Sequence, residues 1–180
     1  AEAEFRRALE LDANDATTHQ WYGELLQWRG RFDEARAQYR KALELEPSSL
    51  VIYTSLAGPD LWSGDYAAAQ TILQQVLERD PNFTYAISNL GLALQFQGDL
   101  AGALRQFERA QEMFGERSVY SSLAYAYGQI GRTDEARSAL VRLRQQAQSG
   151  EYVAPFRFAL VHMGLGEHDA ALDWLQRGVA

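Results

Sequence analysis

Short segments of this chain space their apolar residues three or four apart, the period of an amphipathic helix, and the segments recur at a nearly constant interval. Gly30, Gly64, Gly98, Gly131 and Gly166 are separated by 34, 34, 33 and 35 residues. Alanine follows each glycine at five residues (Ala35, Ala69, Ala103, Ala136 and Ala171), and a large side chain follows each alanine at four (Tyr39, Leu73, Phe107, Leu140 and Leu175). Upstream of the glycine, a bulky residue precedes a small one in every unit: Tyr22-Gly23, Leu56-Ala57, Leu90-Gly91, Leu123-Ala124 and Phe158-Ala159. The glycine falls midway, where one helix must stop and the next begin, so each unit predicts a helical hairpin. A hairpin of this size buries one face only by stacking on its neighbours, and the small residues let the backbones approach at the crossings.

These residues resemble the tetratricopeptide repeat (TPR), whose pattern runs Trp-x2-Leu-Gly-x2-Tyr, then Gly, Ala-x3-Phe, Ala and a closing Pro. Residues 16–49 match it best, with Tyr22, Gly23, Gly30, Ala35, Tyr39, Ala42 and Pro47 in place, and residues 50–83 follow closely and end in Pro81. Residues 84–116 and 117–151 keep the helix signature without the closing proline. Residues 1–15 read as the second helix of an earlier unit, and 152–180 as a partial last repeat. The resemblance implies an all-α fold, a right-handed α-solenoid of TPR helical hairpins forming a single array over 1–180. The run Gly150-Glu151-Tyr152-Val153-Ala154-Pro155-Phe156, with Gly164-Leu165-Gly166-Glu167 and Trp174-Leu175 after it, resembles the closing repeats of C-terminal TPR arrays in bacterial winged-helix regulators, adenylate cyclases and serine/threonine kinases. That likeness implies a place within a larger bacterial signalling or regulatory protein.

Composition narrows the function classes. At 180 residues, 47% hydrophobic and 23% charged, the chain has the makings of a packed core. The absence of cysteine excludes disulfide frameworks, thiolate nucleophiles and zinc ribbons. A net charge of -7 argues against a nucleic-acid surface and against an anionic membrane patch. No apolar run is long enough for a membrane span, and the first residues lack the pattern of a signal peptide. The expected compartment is the cytoplasm, or the periplasm if the full-length protein carries a transmembrane segment.

Catalytic constellations are sparse. His19, His162 and His168 have no metal-ligand spacing. His162 takes a helix-packing position, and His168 stands with Glu167 and Asp169 at a hairpin turn, where acidic residues favour a helix start. Gly164-Leu165-Gly166 lacks the strand and third glycine of a dinucleotide fingerprint, and Ser121-Ser122 lack the setting of a hydrolase nucleophile. The reading is a protein without catalytic residues, metal or cofactor.

In the family that the chain resembles, positions two, five, nine, twelve and thirteen of each unit point into a shared concave groove. Carried over, they give Thr17, Gln20, Glu24, Gln27 and Trp28 in the second unit, Val51, Thr54, Gly58, Leu61 and Trp62 in the third, and Tyr85, Ser88, Leu92, Gln95 and Phe96 in the fourth. Ser121 and Tyr125 follow from the fifth. This set holds one acid and neither Lys nor Arg, so the family's clamp for a peptide carboxylate is absent and nucleic acid is not an expected ligand. A protein or peptide is the expected partner. Trp28, Trp62 and Phe96 share position thirteen, either packed between neighbouring helices or exposed as anchors. Gly58-Pro59-Asp60 interrupts the first helix of its unit and predicts a kink or early end, either a functional notch with free carbonyls or a tolerated irregularity. The last helix carries Ala171, Leu172, Trp174, Leu175 and Val179, an apolar face that suggests self-association into a homo-oligomer as the alternative function.

Overall fold

A computed structural model describes residues 1–114 and 120–178. The expected repeat boundary at 116/117 and the residue Val179 lie outside these. The chain divides into two compact units, 1–97 and 98–180, and every regular element among the described residues is a helix.

The first unit holds α1 (Glu2–Leu11), α2 (Ala16–Trp28), α3 (Phe32–Leu45), α4 (Leu50–Ser55), α5 (Gly58–Ser63), α6 (Tyr66–Arg79) and α7 (Thr84–Gln97). The hairpin pattern follows from its punctuation. Gly64 ends α5 at φ 93°, a left-handed conformation that a side chain resists, and the other turn glycines at 30, 98, 131 and 166 share that region. Helix starts are capped where the sequence offers a short acid. Asp15 accepts from the Thr17 N–H at 3.0 Å to open α2, and Asp65 accepts from the Ala68 N–H at 3.1 Å to open α6.

Four of the five large-after-alanine residues, Tyr39, Leu73, Phe107 and Leu140, are buried, and Leu175 is exposed. Tyr39 packs with Tyr22, Leu26 and Ala35 between α2 and α3, and Leu73 and Val76 of α6 pack with Leu61, Ala86 and Leu90. The small residue opposite Tyr39 is required by contact: a Cβ on Gly23 would stand 2.9 Å from the Tyr39 ring.

The interruption at Gly58-Pro59-Asp60 splits what would be one helix into α4 and α5. Pro59 occupies the first turn of α5, where a missing N–H leaves no bond unmade. The carbonyls of Ile52 and Thr54 at the break accept from the N–H groups of Leu56 and Ala57, so these two carbonyls are not the free acceptors that a notch would offer. Asp60, in place of an apolar residue, is buried and accepts from Arg36 at 2.7 and 2.9 Å.

A cluster of charge ties α1 to the loop after α2. The Glu2 carboxylate accepts from Arg31 at 2.9 and 3.0 Å, from Arg6 at 2.7 Å, from the Tyr22 hydroxyl at 3.1 Å, and from Arg29. The Arg31 guanidinium, helped by Tyr22 and Arg6, holds the Glu2 carboxyl down at about 2, against an ordinary value of 4.5. A depressed carboxylate stabilises the fold above its unfolded pKa, and that contribution fades as pH falls from 4.5 toward about 2. Thermal melts stepped down through that window should therefore show a falling midpoint, and Glu2→Gln should flatten the slope. An unchanged slope in the variant would remove Glu2 as its source.

The second unit holds α8 (Leu100–Phe114), α9 (Tyr120–Gln129), α10 (Thr133–Gln148), α11 (Pro155–Gly164) and α12 (His168–Arg177). Leu140, Leu143, Phe158 and Val161 form its core, and Trp174 stacks on Phe158 with ring centroids 4.0 Å apart. α9 and α11 meet backbone to backbone. A Cβ on Gly128 would lie 2.5 Å from the carbonyl of Gly164, and one on Gly164 would lie 2.5 Å from the Tyr125 Cα. His162 is buried as expected, with its Nδ1 2.7 Å from Glu167. Glu167 stands at the N-cap of α12 and Asp169 in its first turn, where acids were expected to favour the helix start; the Glu167 side chain makes no cap bond and accepts from Arg137 at 2.8 Å as well as meeting His162.

Candidate functional site

Within the first unit, α2, α4, α5 and α7 surround a cavity of about 290 Å³. Gln20, Glu24, Gln27 and Trp28 line it from α2, Val51, Thr54 and Ser55 from α4, Gly58 and Trp62 from α5, and Tyr85 and Asn89 from α7. Residues four apart on one helix face stack above one another, which is why the α2 and α7 contributions arrive as Gln20/Glu24 and Tyr85/Asn89.

The break between α4 and α5 shapes one wall. Gly58 puts no side chain there, and the Gln27 amide fills the space: a Cβ on Gly58 would stand 2.1 Å from the Gln27 oxygen. That oxygen accepts from the Tyr39 hydroxyl at 3.4 Å, which brings a core residue to the cavity lining. Gln20 donates to the Ser55 hydroxyl at 3.5 Å, Ser55 donates to the Val51 carbonyl at 3.0 Å, and Asn89 donates to the Tyr85 carbonyl at 2.7 Å.

Glu24 supplies the only formal charge among the lining residues, and no ion pair to it is present among the described residues. Its charge is felt by the two phenols. Burial first, and the Glu24 carboxylate second, push both Tyr39 and Tyr85 above the usual phenol range, with the Ser55 hydroxyl pulling Tyr85 partly back.

Along the rim run three rings. Trp28, Trp62 and Phe96 are exposed at 72%, 50% and 43%, with centroids 6.3 Å apart for the first pair and 6.4 Å for the second. Tyr66 supports the last of them, 5.4 Å from Phe96. Each ring sits on the last turn of its helix, and the 34-residue step repeats it at the same place. Of the two readings left open by the sequence, the structure has these rings exposed.

The remaining candidates divide. Gln20, Gln27, Gly58, Ser88 and Leu92 are half-buried, and Tyr85 is exposed. Leu61 departs from its expected orientation: it lies in the core of the first unit, 3% exposed in one cluster with Leu73 and Leu90, so its apolar side chain is out of water and not offered to a ligand. Thr54 is buried and donates to the Leu50 carbonyl at 2.8 Å, so it lines the cavity with its hydroxyl already engaged. Gln95 is buried as well. Ser121 and Tyr125 belong to the second unit, where Ser121 is buried and accepts from Arg157 at 3.2 Å. Sequence reasoning missed Tyr39, Ser55 and Asn89. Tyr39 was assigned to packing, and it is buried there, but its hydroxyl also reaches the cavity lining through Gln27.

Tetratricopeptide repeat models match residues 16–49, 61–124 and 159–177, which together make up more than half of the chain. The chain belongs to the tetratricopeptide repeat family. Solved TPR structures agree on the fold. YrrB, described as a TPR protein with an unusual peptide-binding site, aligns over 99% of this chain and 92% of its own at 20% identity and a TM-score of 0.57. Yeast Tom70 aligns over 98% of this chain and 38% of its own at 18% identity and a TM-score of 0.65. The first TPR of Spaghetti (RPAP3), solved with the HSP90 peptide SRMEEVD, aligns over 64% of this chain and 92% of its own at 22% identity and a TM-score of 0.56. No curated protein matches the chain significantly. The fold class is thus the all-α TPR solenoid that the repeat pattern implied.

Proposed function

We propose that this TPR chain is a non-catalytic module that binds a protein or peptide on the face formed by α2, α4, α5 and α7. The observation that supports this most is the run of exposed rings at Trp28, Trp62 and Phe96 beside a cavity. Large apolar side chains left contiguous on a surface are costly to keep wet, and Trp and Tyr supply most of the binding free energy where such surfaces are used. The peptide-binding site of YrrB and the HSP90 peptide bound to RPAP3 lend the reading a precedent on this fold. In this reading the repeats are one array, with units at 16–49, 50–83, 84–116 and 117–151 flanked by 1–15 and 152–180, and the chain comes from a larger bacterial regulatory protein.

The test is selection of peptides from a displayed random library, followed by NMR mapping of the winners on the 180-residue chain. Shifts should concentrate on the indole signals of Trp28 and Trp62 and on α7. Winners that map to α3 and α6 instead would refute the assignment of the face.

Self-association is the second reading. It rests on Leu172 and Leu175, exposed at 56% and 42% on α12. Light scattering across a concentration series separates the two readings.

A further inference from the structure

The chemistry of the cavity selects its occupant. Three classes of side chain can be weighed against the lining: anionic, apolar and cationic. An anion would enter a cavity with one carboxylate, Glu24, and no Lys or Arg to meet it, on a chain of net charge -7. Like charges brought together in partly dry surroundings repel strongly, so this class is excluded by electrostatics. An apolar side chain would strip water from Glu24 and from the amides of Gln20 and Asn89 without replacing a single hydrogen bond. A cation reverses both terms. It faces a carboxylate that has no ion pair among the described residues, and side-chain oxygens of Gln20 and Asn89 that can accept. The walls suit it further, because Trp28, Trp62 and Tyr85 line the cavity with aromatic rings, whose quadrupole attracts positive charge at the ring face.

We propose that the cavity receives a basic side chain, Arg or Lys, of a bound peptide, with Glu24 as its counter-ion and the Trp28, Trp62 and Tyr85 rings as its walls. The volume of about 290 Å³ lies at the bottom of the range for small-molecule sites, roughly 300 to 1,000 Å³, and is scaled to one side chain. The preference is opposite in sign to what an acidic peptide such as SRMEEVD would require. This inference rests on the groove reading above and adds the charge of the ligand to it.

The experiment uses the library-selected peptides as probes on the full chain. Each Arg or Lys in a selected peptide is replaced by Gln, and affinities are measured by tryptophan fluorescence for the native chain and for Glu24→Gln. Glu78→Gln, an exposed α6 acid outside the cavity, controls for net charge. One basic position should lose about tenfold or more on the native chain, as expected for a charge-assisted contact, while losing under threefold on Glu24→Gln. Glu78→Gln should retain the full loss. Glu24 is exposed, so a thermal melt should find its variant as stable as the native chain. Peptides that map to α2, α5 and α7 yet lack a basic residue, or that lose equally on Glu24→Gln, would overturn the cation assignment while leaving the groove reading intact. Peptides that map elsewhere would overturn both.

Discussion

Replacing Trp28 and Trp62 together by alanine should cut the affinity of groove-bound peptides by about 30-fold or more while leaving the fold unmoved. Truncating a hot-spot tryptophan costs about 2 kcal/mol or more, and 1.4 kcal/mol is tenfold, so one ring removed as an anchor already accounts for that factor. The two rings touch each other at 6.3 Å, so their losses should not add simply. Stability is a separate readout. With 72% and 50% of their surfaces already in water, the two side chains hold little of the core, and the unfolding free energy should change by less than about 1 kcal/mol. Titration by fluorescence anisotropy, paired with urea melts, checks both halves. Unchanged affinity in a folded double variant would remove the rings from the binding face, and a large loss of stability would return them to the core.

The second large effect concerns stability alone. Gly164→Ala should destabilise the second unit by about 2 to 3 kcal/mol, because its new methyl would stand 2.5 Å from the Tyr125 Cα, a backbone atom that cannot step aside. Alanine normally favours a helix over glycine by up to about 1 kcal/mol, so the sign of the change is itself diagnostic. Gly58→Ala gives the contrast. Its methyl would come still closer, 2.1 Å, but to the far end of the Gln27 side chain, which can swing away. That variant should keep its stability and lose cavity space instead. Urea melts of the two proteins distinguish the cases, and a neutral Gly164→Ala would mean that α9 and α11 can part without penalty.

What the sequence disclosed, and what it withheld, divides by range. The hairpin plan was legible because each turn glycine acts locally: Gly30 and Gly64 need only their own φ to end a helix, and their 34-residue spacing needs no tertiary knowledge. The exposure of Trp28 and Trp62 was not legible, since aromatic residues at helical spacing fit a core and a surface equally well. Only the placement of neighbouring helices decides. Leu61 shows the same limit from the other side. One residue before Trp62, it was assigned to the groove by position within the repeat, yet it is buried, as is Gln95 at the same position of the next unit, because the packing of neighbouring helices decides which side of that position is covered. Asp60 looked like a polar residue in an apolar slot. Its partner Arg36 lies 24 residues earlier, beyond any local pattern.

The spacing of the three rings has a consequence for how a ligand can lie. A strand points every second side chain the same way, which returns each such residue after about 6.4 to 6.8 Å. The rings stand 6.3 and 6.4 Å apart, close to that beat. A helix brings a face round every 5.4 Å or so and falls behind by about an ångström at each ring. Each step between neighbouring rings therefore fits an extended ligand better than a helical one, since residues i and i+2 of such a ligand would meet two successive rings.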